Sequence, residues 1–343
     1  MRHHFLDSGA IQLTFAACIC FLCLGGNVSG QTNRWSASGD GFWDDPLNWS
    51  LTLSPSTNQL LVSIESPGSK TVTIDRFTAG NNAGTLTVSN LLISAPSGST
   101  NTLFLNNAGT NKPLTALGAF TVGTNGALTV LNSAVNVKNG DLNVEGQLTE
   151  NSGDISVARG TVAVGTLSPG AYQLNGGSLL ASNLFIGITN YGMMEQSGGT
   201  NQVTAALRLG TSPGGSGFYK LGGGVLISAV SSVGDSGVGS FIQTGGSNYS
   251  SSLSVGSLRW SVGTYTLNDG FLTTTTTALG SLGLGDFFQS GGVHRVARLS
   301  VGGFPYPGRA KYYLTNGLIA AGSISIGAAD FVQFGGTNTV SGG

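Results

Sequence analysis

Apolar and polar residues alternate along this chain in short runs broken by glycine. "YTLNDGFLTT" (265–274) and "HRVARLSVG" (294–302) alternate or nearly alternate apolar with small polar side chains, and β-branched residues are common. That is the pattern of strands. No stripe at i, i+3, i+4, i+7 is sustained, and glycine recurs too often for helix.

The runs are copies of one another. "AYQLNGGSL", "FYKLGGGVL", "TYTLNDGFL" and "KYYLTNGLI" carry Tyr172, Tyr219, Tyr265 and Tyr312, each followed five residues later by Gly177, Gly224, Gly270 or Gly317. A second series, "MEQSGGTN", "FIQTGGSN", "FFQSGGVH" and "FVQFGGTN", carries Gln196, Gln243, Gln289 and Gln333. A third landmark, a short apolar stretch ending in glycine, recurs at Gly187, Gly210, Gly234, Gly256, Gly280, Gly302 and Gly327. Fainter copies end at Gly123 and Gly146. The spacing is about 23 residues, and two alternating units make the larger period of about 46.

A fixed period of this size means a repeat architecture. The Leu-x-x-Leu-x-Leu pattern and Asn ladder of leucine-rich repeats, which share the period, are missing. Three strands of four to six residues joined by glycine turns account for one unit. The expected fold is all-β: a single-stranded β-solenoid (parallel β-helix) with coils of about 23 residues and an N-terminal β cap. Stacked coils turn apolar side chains into one interior column, with the tyrosines on every second coil and the glutamines on the coils between. The repeating glycines hold corners of positive φ. From Asn81 onward there is room for roughly 11 coils, a rod of ~55 Å. The expected division is 1–30 export signal, 31–80 Trp-rich cap and 81–343 solenoid.

Composition narrows the function. Only 8% of the 343 residues are charged and the formal net charge is −1. A nucleic-acid partner needs a basic field, so none is expected. Residues 1–30 read as an export signal: Arg2, then the apolar "IQLTFAACICFLCLGG", then Val28 and Gly30 placed for cleavage after Gly30. A membrane anchor competes, although the run is shorter than the ~20 residues a span needs. A lipoprotein signal ending at Cys18 is a second competitor. Cys18, Cys20 and Cys23 all fall in this segment, so the mature chain has no disulfide, thiolate metal site or cysteine nucleophile. It has no further segment apolar enough to span a membrane. The localisation expected is secreted or cell-surface.

Candidate chemistry is sparse. His294 is the one histidine outside the first four residues, with Arg295 and Arg298 beside it. These three decorate one repeat without counterparts in its sisters, so a solvated face is expected rather than a catalytic patch. Trp35, Trp43 and Trp49 precede the repeats. They suit a cap over the open end of the solenoid; the alternative is a sugar-binding aromatic platform. Asp40, Asp44 and Asp45 could suggest calcium, but the spacing is not that of the twelve-residue calcium loop, and turns and caps use the same residues. The threonine run 273–277 offers a polar outer face, or simply β-propensity. Asp286 and Asp330 share a repeat position two coils apart, ~9.6 Å by stacking, with no aligned partner expected between them. Glycosidase carboxylates reach at most ~9.5 Å apart, so that geometry is marginal. No catalytic residue, no cofactor and no metal site is expected.

The stretch 35–49 with "TVTID" after it resembles the N-terminal module of large secreted repeat proteins of environmental bacteria. The "YxLxxGxL" and "QxGG" units are similar to the repeats of those proteins, of the PEP-CTERM surface type, and more loosely to autotransporter-associated β-strand repeats. The resemblance covers most of 34–343 and implies a surface or extracellular location. Many such proteins carry a C-terminal sorting segment or barrel, whereas this sequence ends "GGTNTVSGG" inside a repeat.

Two functions follow. The first is a non-enzymatic structural or adhesive surface protein whose partners are glycans or other surface proteins. The second is a polysaccharide-binding or polysaccharide-degrading β-helix protein. The unfinished last unit adds the expectation of a longer parent chain or of end-to-end self-association.

Overall fold

The computed structural model describes residues 30–81, 86–303 and 309–342. Residues 1–29 of the expected export signal, its three cysteines among them, lie outside the described residues.

The chain winds into about 12 stacked coils of about 24 residues, nearly all of it parallel β. One coil shows the plan. Gly170–Leu174 is the first strand, and a glycine turn leads into Ser178–Ile186. That longer run breaks register between Ala181 and Asn183, which divides it into a second and a third short strand. A corner at Gly187 then delivers the chain to Tyr191–Gln196, directly beside Gly170–Leu174 in the next coil. Three parallel ladders result, one for each strand of the coil.

Alternation within each strand decides what is inside. In this coil Tyr172, Leu174, Leu179, Ala181, Leu184 and Ile186 are buried, while their neighbours face outward. A single coil has nothing to bury these against; the coils above and below supply it. Tyr172, Met194, Tyr219, Phe241, Tyr265, Phe287, Tyr312 and Phe331 occupy one register position in successive coils. The tyrosines do recur on every second coil, but the coils between are not gaps. Ring centroids lie 4.9 Å apart for Tyr219–Phe241, 4.6 Å for Phe241–Tyr265, 4.9 Å for Tyr265–Phe287 and 4.6 Å for Phe287–Tyr312, all stacked with nearly parallel planes. Each such pair adds roughly 0.5–1.5 kcal/mol beyond the area it buries.

The corners need glycine for two separate reasons. Gly210 has φ +63°, and a Cβ there would lie 2.2 Å from the carbonyl oxygen of Val238 in the next coil. Neither the left-handed backbone nor the contact tolerates a side chain.

The same ladders continue into the Trp-rich start. Gln31–Arg34 pairs with Gln59–Ile64, which pairs with Leu91–Ile93, all parallel. Lys70–Asp75 pairs with Asn101–Ala116. Hydrogen bonding therefore does not stop near residue 80, where the cap was expected to end. A six-residue helix, Arg76–Asn81, sits there, its first turn bonded to the Asp75 carboxylate through Phe77 and Thr78 N–H at 2.9 and 2.8 Å. Among the described residues no helix is long and apolar enough to cross a membrane.

Candidate functional site

The polar residues that recur with the coil period face inward. Tyr219 Oη donates to Gln196 Oε1 at 2.5 Å, Tyr265 to Gln243 at 2.7 Å and Tyr312 to Gln289 at 2.6 Å, in each case from one coil to the one before. The glutamine amide is held in turn. Gln243 Nε2 donates to the Gly246 and Phe271 carbonyls at 3.3 and 3.0 Å, and Gln196 and Gln289 repeat the arrangement. Asn201 and Asn248 then donate to the Tyr219 and Tyr265 hydroxyls at 3.0 and 3.1 Å. Burial pushes the pKa of all four repeat tyrosines up, so they remain hydroxyl donors.

His294 belongs to this network, which corrects the expectation of a solvated residue without counterparts. It is 0% exposed and shares its register column with Asn248 and Asn201 at two-coil intervals and with Asn338 two coils further on. Its Nδ1 lies 3.1 Å from Tyr312 Oη and its Nε2 3.2 Å from Thr277 Oγ1, and its ring stacks 5.2 Å from Phe287. Burial lowers its pKa from 6.5 to about 3, so it is neutral at physiological pH. The signal was present in the repeats: "SGGTN", "TGGSN", "SGGVH" and "FGGTN" end in Asn, Asn, His and Asn. Arg295 and Arg298, by contrast, are on the outer face as expected.

Glu150 is a second buried substitution in the network. It occupies the column of Gln196 two coils away, with Leu174 in the coil between. It is 0% exposed and accepts from Tyr172 Oη at 2.5 Å. Burial raises its carboxyl to about 8. Sequence reading missed it, because Glu breaks the Gln pattern by which that column was traced.

The remaining candidates separate. Trp35, Trp43 and Trp49 are each 1% exposed and pack edge to face, with centroids 5.1 Å (Trp35–Trp49) and 5.2 Å (Trp43–Trp49) apart. Trp49 Nε1 donates to the Trp43 carbonyl at 2.9 Å. With their faces covered they offer no platform to a sugar ring; they plug the first coils. Asp44 and Asp45 line one hollow with Asp75, and Asp40 lies outside it. Asp40 accepts from Thr71 N–H at 2.6 Å, Asp44 from Thr78 Oγ1 at 3.1 Å and Asp45 from Leu47 N–H at 3.0 Å. Among the described residues no group of three or more metal-binding side chains is found.

The threonine run is not one face. Thr274 and Thr277 are buried and 2.8 Å apart, while Thr273, Thr275 and Thr276 point outward. Asp286 and Asp330 share a column as expected, but Lys311 stands between them in the same register. Burial raises the Asp286 pKa and Lys311 opposes the rise.

One cleft on the outer surface that combines aromatic and polar groups lies at the corner where the third strand hands over to the first. Its volume is about 470 Å³. Ala127, Gln147, Ala171 and Met193 follow one another in register along its floor. The two alanines make it concave. Pro169 is on its wall, at the end of a loop fixed by Glu145, whose buried carboxylate accepts Leu167 N–H at 2.9 Å and Ser168 N–H at 2.6 Å. Tyr191, 44% exposed, closes one end; Thr100, Thr124 and Asn125 line the other. Beyond Tyr191 its register column continues through Ser216 to Val238, Val262 and Leu284, all three of these apolar residues exposed. Beside them Trp260 is 92% exposed with φ +69°, an outlier for a bulky residue. Neither the cleft nor Trp260 is marked by a repeat, so the sequence did not single them out.

Comparisons of the chain with protein-family models, curated proteins and solved structures found no match.

Proposed function

We propose that this protein is an exported, non-enzymatic β-solenoid that serves as a structural or adhesive element at the cell surface. One observation carries the reading: the polar side chains conserved from repeat to repeat, Tyr265, Gln243 and Asn248 and their sisters, are spent on joining coil to coil. The repeated sequence therefore encodes a stiff rod, and the variable outer positions are left for contacts. The likeness of the Trp-rich start and the repeats to secreted surface proteins agrees with this, as does the export-type segment 1–30.

The cleft beside Tyr191 favours, within the second reading, polysaccharide binding over degradation. Its one carboxylate, Glu145, is occupied by backbone donors. Two measurements test the proposal. N-terminal sequencing of protein recovered outside the cell should begin at Gln31, and a start at Met1 contradicts export with cleavage. Incubation with common polysaccharides should release no reducing ends; turnover abolished by Asp286→Asn or Asp330→Asn contradicts the non-enzymatic reading.

A further inference from the structure

Building on the surface-contact reading, we infer that the cleft between Asn125 and Tyr191 binds an uncharged glycan segment lying along the rod axis. Four features of the cleft select that ligand.

The first is shape. The floor crosses the coils that begin at Gly126, Gln147, Gly170 and Tyr191, three coil steps or ~14 Å. That length accommodates several pyranose rings in a row. The second is the inventory of groups. The Tyr191 ring offers an apolar face to the C–H face of a sugar, and its phenol a polar edge. Gln147 supplies both donor and acceptor, and Thr100 a hydroxyl. Among the described residues none of these three side chains has a hydrogen-bond partner within the chain. Exposed, unpartnered groups spaced along a groove match the hydroxyls of a glycan.

The third feature is charge. No lysine or arginine lines the cleft, so uronates and sulfated sugars find no counter-ion. Glu145 is the only ionisable lining group besides Tyr191, and its oxygens are taken by Leu167 and Ser168. A neutral ligand fits this balance. The fourth is backbone pairing. The strands Gln147–Glu150 and Gly170–Leu174 are bonded on both edges, so a peptide cannot add itself as a strand here. Recognition must come from side chains.

The test uses calorimetric titration of the exported protein with neutral oligosaccharides (hexamers of β-linked glucose, of mannose and of N-acetylglucosamine), with a uronate hexamer alongside. At least one neutral hexamer should bind, and the uronate should not. Tyr191→Ala should weaken binding about tenfold or more and Gln147→Ala by a smaller factor. Trp260→Ala, outside the cleft, should leave it unchanged. Thermal melts of the variants should match the parent, since both side chains are exposed. Binding that survives Tyr191→Ala and Gln147→Ala, or that is lost on Trp260→Ala, overturns the cleft assignment and leaves the adhesive reading standing. Preference for the uronate overturns the neutral-ligand claim. Failure of every hexamer overturns the cleft assignment, and a glycan array or cell-adhesion assay negative with the same protein removes the adhesive reading as well.

Discussion

Tyr265 donates its hydroxyl to Gln243 in the preceding coil at 2.7 Å, inside a core where neither group meets water. The bond is local in space but spans 22 residues of chain, so it fixes which coil lies against which. Removing the hydroxyl by Tyr265→Phe leaves Gln243 Oε1 without its donor and should cost about 1–3 kcal/mol in denaturant unfolding. Tyr265→Phe combined with Gln243→Leu should cost less than the sum of the two single changes, a coupling of about 0.5–3 kcal/mol. Strict additivity would contradict a specific coil-to-coil contact.

His294 makes the fold acid-sensitive. Its folded pKa, about 3, lies below the ordinary 6.5, so the stability tied to its neutral form is present above pH 6.5 and is lost as pH falls toward 3. His294→Asn puts in the residue that sister coils already use. It should cost about 1–2 kcal/mol at pH 7 through lost packing on Phe287 and Tyr312. The gap to the parent should narrow or reverse at pH 4. Parallel melting curves of parent and variant from pH 7 to pH 4 would contradict the assignment.

Glu150 has the opposite sign. Its folded pKa of about 8 lies above the usual 4.5, so the stability tied to its protonated form is complete below pH 4.5 and is lost as pH rises through 8. Glu150→Gln restores the amide found at Gln196 and should remove that loss. Melting temperatures measured at pH 5 and pH 9 should differ less for the variant than for the parent.

Gly210→Ala should destabilise by more than about 1 kcal/mol, because the change demands both a left-handed alanine and room that the Val238 carbonyl occupies. Gly39→Ala should be close to neutral, since φ is not positive there and a Cβ would meet nothing within 4 Å. Urea midpoints of the two variants compare them directly; equal midpoints would contradict the corner argument.

The solenoid was legible because its corners are written in glycine and its interior in a two-residue alternation. Both are local signals that survive divergence of everything else. What was not legible depended on register. His294 read as a solvated surface residue because its column mates, Asn201 and Asn248, are a different residue type in the same slot. Lys311 looked unrelated to Asp286 until the coils were laid side by side. The cleft at Tyr191 is built by Ala127, Ala171 and a loop held by Glu145, residues from four coils with no shared motif. The Trp residues at 35, 43 and 49 could be either cap or platform in sequence, and only burial distinguishes these.

The alternation of Gln243 and Leu267 in one column, with Tyr265 always one step from a glutamine, has a consequence for the length of the rod. Excising one turn of the winding would either set a tyrosine over a leucine or strand an amide beside another amide, according to which turn is lost. Excising two returns every partner to its place. Duplication and loss should therefore lengthen or shorten this protein in double turns of about 46 residues, a quantum of growth set by a hydrogen bond rather than by the pitch of the helix.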